Sequence, residues 1–172
     1  MFIIEKLATN TAKRQKMIEA VADIELLVQP HDAWTYQTLV EMLAQDSMHM
    51  LMVYEQEDKA DNNKADNNKA DNNKAVGYCL YQVIFEQAEI LRIGTHPDYQ
   101  RQGIASQIFA QLNKELMSNQ VESLLLEVRA DNFAAIALYQ QQAFAVIHTR
   151  KDYYQVPHQP AVDALIMQRV YV

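Results

Sequence analysis

Apolar residues return every third or fourth position in some stretches of this chain and run in alternating or unbroken series in others, and the two rhythms predict different elements. Phe2–Lys6 reads as a short strand. A helix follows with Met17, Val21 and Ile24 on one face and its cap at Asn10 or Thr11. A second helix is predicted around Thr35–Ala44. MLMVYE (Met50–Glu55), AVGYCLYQVIF (Ala75–Phe85) and Ala88–Thr95 read as strands. From Gly103 to Met117, Ile104, Ile108, Leu112 and Leu116 share one helical face. SLLLEVRA (Ser123–Ala130) follows as a strand, DNFAAIALYQQQ (Asp131–Gln142) as a helix, and FAVIHTR and DALIMQRV as a closing pair of strands. The alternation is most regular in the second half, which predicts an α/β or α+β domain built on a mixed sheet.

One segment follows neither rhythm. KADNNKADNNKADNNKA (Lys59–Ala75) holds three copies of Ala-Asp-Asn-Asn-Lys, with alanine its only apolar residue. Such a segment buries too little surface to offset its ordering entropy, so it is expected to be a disordered, expanded hairpin loop between two strands. A binding tail is the weaker reading, because each copy is charge-neutral and lacks an aromatic anchor.

The totals narrow the class. The 172 residues, 49% of them hydrophobic, suit one domain (1–172) with a sizeable core. A net charge of −7 argues against a nucleic-acid surface. The single cysteine, Cys79, excludes an internal disulfide and fits a reducing compartment. MFIIEKLATN has no secretory pattern and no apolar run approaches membrane-spanning length. The expectation is a soluble cytoplasmic domain with neither nucleic acid nor membrane as partner.

Candidate chemistry centres on PDYQRQGIASQIFAQL (Pro97–Leu112). A helix start offers unpaired backbone N–H groups and the positive end of the helix dipole. Gly103 permits close backbone approach, Ala105 leaves room for a bulky anion, and Arg101 adds charge. This suits a pyrophosphate, although composition alone favours an ordinary glycine turn slightly. The Gly-Lys-Ser/Thr ending of a Walker loop is missing, and so are the further glycines of a dinucleotide fingerprint.

The stretch Q-R-Q-G-I-A after a strand resembles the coenzyme A pyrophosphate loop of the GNAT superfamily of acyl-CoA N-acyltransferases. Downstream, LLLEVRADNFAAIALYQQQAF, RKDYY and DALIM look like the RimI type, bacterial enzymes that acetylate the N-terminal alanine of a small-subunit ribosomal protein. The resemblance is specific from about Ala88 to Arg169. It is faint in the first third, where HDAW (His31–Trp34) carries it, and absent from the repeat. It implies the GNAT fold, a mixed sheet of about seven strands flanked by about four helices. It further implies acetyl-CoA as cosubstrate without a metal, direct attack in a ternary complex, and the N-terminal segment of a ribosomal protein as acceptor.

Residue roles come with the resemblance. Glu127 matches the proposed general base; its strand face, shared with Leu125 and Arg129 among leucines, predicts a carboxylate raised by burial. On pattern alone, an ion pair with Arg129 is the stronger reading. Tyr139 matches the general acid, where an ordinary helical tyrosine would be a core residue. Asn132 matches a coenzyme contact and also suits a helix cap. Ile93, Gly94 and Thr95 match the strand that holds the pantetheine arm, Gly94 marking a bulge or close approach. Arg101, Gln102, Gly103, Ile104, Ala105 and Ser106 match the pyrophosphate loop. Tyr153 and Tyr154, placed in the loop of the last hairpin, match a substrate-facing pair, with a plain surface hairpin an equal reading. Cys79 reads as core, and the five histidines lack metal-ligand spacing. The chain departs from the type at Ala105, at Ser106 in place of arginine, and at Gln142-Ala143-Phe144, which lacks a helix-ending glycine. An acetyltransferase for a small amine and a non-catalytic acyl-CoA-binding module stay open as alternatives.

Overall fold

The computed structural model describes residues 1–56 and 73–171. Apart from Asn73, Lys74 and Ala75, the repeat lies outside the described residues, and so does the expectation of a disordered loop there.

The described residues form seven strands and four α-helices, the mixed architecture expected. In chain order they are β1 (Phe2–Lys6), α1 (Thr11–Val28), α2 (Tyr36–Leu43), β2 (Met48–Glu55), β3 (Lys74–Ile84), β4 (Gln87–Thr95), α3 (Ile104–Ser118), β5 (Ser123–Arg129), α4 (Phe133–Gln141), β6 (Ala145–Tyr154) and β7 (Val162–Val170). One sheet runs β1-β2-β3-β4-β5-β7-β6. Every neighbouring pair is antiparallel except β4 with β5.

Period-two alternation divides the core between the two faces of the sheet. On one face Met48, Met50, Met52, Tyr78 and Leu80 pack with Met17, Ile18, Val21 and Ile24 of α1 and with Leu39 and Leu43 of α2. On the other, Leu51, Val53, Val76, Cys79, Tyr81, Leu124, Leu126 and Val128 pack with Ile104, Ile108, Phe109, Leu112 and Leu116 of α3 and Tyr139 of α4. Strand β3 is covered on both faces, which explains its unbroken apolar run.

The parallel pair is short. β4 meets β5 from Gln87↔Ser123 to Ile90↔Leu126, and there the pairing stops, although β4 continues to Thr95 and β5 to Arg129. At the same point β4 carries an extra residue, Leu91, against β3: Tyr81 opposes Ile90 while Leu80 opposes Arg92. A bulge bends and twists its strand. Beyond it, β4 follows β3 away from β5 and a wedge opens in the sheet.

Three helices begin under a side-chain cap: Asn10 accepts from the Lys13 amide, Thr35 from Thr38 and Asn132 from Ala135. Helix α3 begins at Gly103 with no side-chain cap. Helix α4 ends in the pattern that normally employs glycine. The Phe144 N–H donates to the Tyr139 carbonyl and the Ala143 N–H to that of Gln140, both at 3.0 Å, and Ala143 is left-handed at φ 63°. The ring of Phe144 closes on Tyr139, with centroids 6.0 Å apart.

A left-handed alanine costs roughly 1–2 kcal/mol, part of which glycine returns in unfolded-chain entropy. Ala143→Gly is therefore expected to stabilise the protein by about 0.5–1 kcal/mol, read as a higher urea midpoint.

Candidate active site

The loop before α3 brings two left-handed residues close together, Arg101 at φ 60° and Gly103 at φ 79°. The Gln100 side chain donates to the Thr95 carbonyl at 3.4 Å and that of Gln102 to the Asp98 carbonyl at 3.2 Å, so both bind the loop to its own backbone. The first bond of α3 runs from the Gln107 amide to the Gly103 carbonyl, which leaves the amides of Ile104, Ala105 and Ser106 without an intrahelical acceptor. A β-carbon at Gly103 would meet nothing within 4 Å. The space in front of these donors is open, and Arg101 is exposed beside it. The side chain of Ile104 is buried over Gly77, so only its amide faces this space.

Tyr99 ties the loop to the neighbouring strands. Its hydroxyl donates to the Glu55 carboxylate, and the Lys74 ammonium lies 4.8 Å from its ring centre.

Ile93, Gly94 and Thr95 form the β4 edge of the wedge. Ile93 pairs with Cys79 and packs toward the α3 side. Gly94 marks a close approach and not the bulge, which falls earlier, at Leu91. A β-carbon at Gly94 would lie 2.6 Å from a Tyr78 ring carbon and 2.9 Å from its hydroxyl. Only glycine accommodates that ring.

Glu127 lies across the wedge on β5, on the face opposite α3. One carboxylate oxygen accepts from Arg150 at 2.9 Å and the other from the Tyr154 hydroxyl at 3.1 Å. The expected pairing with Arg129 does not occur, because its guanidinium lies over the Tyr154 ring, 5.0 Å from its centre, and makes a two-bond contact with Asp131 at 2.8 and 2.9 Å. The expected apolar burial does not occur either. Glu127 is 25% exposed and held by polar partners, because α1 and α2 cover β2, β3 and β4 and leave this part of the face open. Its charge reaches its neighbours: partial desolvation and then Glu127 raise the Glu89 carboxyl, while burial and then Glu127 push the Tyr154 phenol up to about 12.

Tyr153 and Tyr154 end strand β6, and the hairpin loop begins only after them. The strand runs further than its apolar pattern because it is an exposed edge whose register shifts between Arg150 and Tyr154. The two rings meet edge to face at 5.1 Å, and the Arg150 guanidinium lies 3.7 Å from the Tyr153 ring centre.

Tyr139 occupies the other face. It is 7% exposed and wedged against Phe109 and Phe144 at 6.0 Å. Burial pushes its phenol up to about 12, and among the described residues its hydroxyl has no hydrogen-bond partner. Asn132 caps α4 through its side-chain oxygen, which leaves its amide nitrogen free of that bond. Burial also holds the Cys79 thiol protonated, as a core residue. No group of three or more His, Cys, Asp or Glu among the described residues is placed to hold a metal ion.

The structure thus gathers Glu127, Tyr153 and Tyr154 on one face of the wedge, and Tyr139 with the start of α3 on the other. Sequence reading missed Arg150, which completes the Glu127 site, and Glu25, which is fully buried in α1. The signal for Glu25 was present: it falls four residues after Val21 on the apolar stripe.

The model of the acetyltransferase (GNAT) family matches residues 31–144. The chain belongs to this family. The match opens at His31, well upstream of Ala88, so the HDAW stretch lies inside the GNAT region. A ribosomal protein bS18-alanine N-acetyltransferase from Escherichia coli K12 is 40% identical over 90 residues, which cover 52% of this chain and 60% of that relative. The match thus spans about three-fifths of the curated relative's length. The crystal structure of the ribosomal-protein-S18-alanine N-acetyltransferase from Escherichia coli superposes with a TM-score of 0.78 at 28% identity, covering 99% of this chain and 94% of that one. Ard1 from Thermoplasma volcanium, at 19% identity and a TM-score of 0.73, shares the GNAT fold.

Gly103→Val puts a β-branched residue where the backbone is left-handed. The substitution is expected to leave a cooperatively folded protein and to weaken coenzyme A binding, measured by calorimetry, roughly tenfold or more.

Proposed function

We propose that this chain transfers the acetyl group of acetyl-CoA to the N-terminal α-amine of a protein, with the N-terminal alanine of ribosomal protein bS18 as first candidate, working in the cytoplasm. One observation carries the reading: the wedge between β4 and β5 joins a face bearing an open helix N-terminus and a protonated phenol to a face bearing a positioned carboxylate. The first face suits an acyl-CoA and the second an amine, and the reacting groups meet in the gap. The likeness to bS18-alanine acetyltransferases supports the choice of acceptor.

In this mechanism the amides of Ile104, Ala105 and Ser106, with Arg101 and Gln102 alongside, hold the pyrophosphate. Asn132 offers its amide to the coenzyme while its oxygen caps α4. The Ile93–Thr95 backbone, which has no strand partner on its wedge side, aligns the pantetheine arm and polarises the thioester carbonyl. Arg150 and the Tyr154 hydroxyl fix the Glu127 carboxylate and leave lone pairs for a proton. Glu127 takes that proton from the acceptor ammonium, and the lone pair this frees on nitrogen attacks the carbonyl carbon to give a tetrahedral intermediate whose nitrogen still carries two protons. When the carbon–sulfur bond breaks, the unpartnered Tyr139 hydroxyl gives its proton to the departing thiolate, and the second nitrogen proton, lost as the amide forms, restores the phenol. Tyr153 and Tyr154 border the acceptor.

The test is incubation with acetyl-CoA and a panel of N-terminal peptides and small amines, with mass detection. A product on the alanine peptide supports the reading, and products confined to small amines would replace the acceptor. Glu127→Gln and Tyr139→Phe are each expected to lower turnover on the order of 10²–10⁴-fold while coenzyme affinity stays within about twofold. Full turnover in both variants would remove the acid–base assignment.

A further inference from the structure

We propose that Glu25 is a positioning residue that fixes the acceptor wall of the cleft, its buried carboxylate locking the α1–α2 loop (29–35) onto strand β4. Glu25 is the one charged side chain fully buried among the described residues. One oxygen accepts the Tyr78 hydroxyl, and the other accepts the Trp34 amide at 2.9 Å and faces the Arg92 Nε at 3.9 Å. Arg92 then reaches outward. Its guanidinium bonds both the carbonyl and the carboxylate of Asp32, at 3.0 and 2.6 Å, and covers the Trp34 ring at 4.5 Å.

These contacts join the α1–α2 loop to two neighbouring strands. Trp34 and Asp32 belong to the α1–α2 loop, Tyr78 to β3, and Arg92 to β4 at the point where it leaves β5. Arg92 and Tyr78 lie on the same face as Glu127, so the loop they anchor borders the side assigned to the acceptor. A buried carboxylate costs stability unless it is well paired, and an apolar side chain would fill this helix position as well. The carboxylate supplies what an apolar residue cannot, acceptors for two donors from two segments and a negative charge facing Arg92. Glu25 touches none of the residues assigned to proton transfer, so it acts through Arg92 and the loop. The coenzyme loop lies on the opposite face, and the two binding steps should therefore separate.

Trp34 is the only tryptophan in the chain, so its fluorescence reports the loop without reference to activity. Glu25→Gln keeps the shape but leaves only one acceptor oxygen for Trp34 and Tyr78 and removes the charge facing Arg92. It is expected to make Trp34 clearly more accessible to acrylamide and to raise the KM for the acetylated peptide roughly tenfold. The dissociation constant of coenzyme A, measured by calorimetry, should stay within about twofold. Glu25→Asp should restore part of both losses. If Glu25→Gln does not fold, Tyr78→Phe and Arg92→Gln carry the same test with one donor removed each. Wild-type quenching together with a wild-type peptide KM would overturn the proposal, as would parallel losses for peptide and coenzyme. The kinetic arm rests on the transferase reading. If the wild-type protein acetylates no peptide, that reading fails alone and the Trp34 quenching still decides the role of Glu25.

Discussion

The parallel contact between β4 and β5 ends after Ile90 and Leu126, and the rest of the site depends on that interruption. A sheet paired along its full length would be a wall between its two faces. The bulge at Leu91 turns β4 away, so the wall acquires a slot with backbone polar groups on its rim. Gly94 lines that slot because Tyr78 has taken the space of its side chain, and Tyr78 stands where it does because its hydroxyl reaches Glu25. Helix α1 thereby determines which residue type the rim on its own face can tolerate.

The two faces use different physics. The α3 side is dry: Tyr139 is enclosed by Phe109 and Phe144, and burial is the main cause that raises its phenol. The other side is polar and partly wet, where the Glu127 carboxylate acts on Arg150, Tyr154 and Glu89. Interactions there are screened more strongly by solvent and salt. Glu25 stands apart from both regimes. Breaking a buried, paired carboxylate costs about 3–5 kcal/mol, far more than any exposed pair such as Arg129 with Asp131.

Most of the architecture was legible because it follows from period. The strand positions, the α3 stripe and the face of Glu127 all came from spacing, and the open helix start followed from Gly103 and the polar residues before it. What spacing does not carry is partnership across distance. Arg150 and Tyr154 are 23 and 27 residues from Glu127, and β6 reaches it only through a register shift that leaves no apolar signature. The burial expected for Glu127 failed for a related reason: alternation tells which face a residue takes, but not whether a helix covers that face. The Leu91 bulge was invisible because leucine there continues the apolar run unbroken. Glu25 was overlooked because one carboxylate on a helix stripe is easily read as a surface residue at the stripe's margin.

Strand β6 has one more consequence. It forms the end of the sheet, pairs only with β7, and exposes nearly all of its ten residues. A long bare strand margin of this kind is a template on which another chain can stack. Here the margin is broken twice, between Val146 and His148 and between Arg150 and Tyr154, with Asp152 turned left-handed and Lys151 charged between them. The kink that swings Tyr154 back to Glu127 also leaves no straight ladder of amides for a neighbour to copy. Straightening β6 by deleting its extra residues would thus do more than displace two tyrosines, because it would give the molecule an adhesive rim and a route to fibrous self-association.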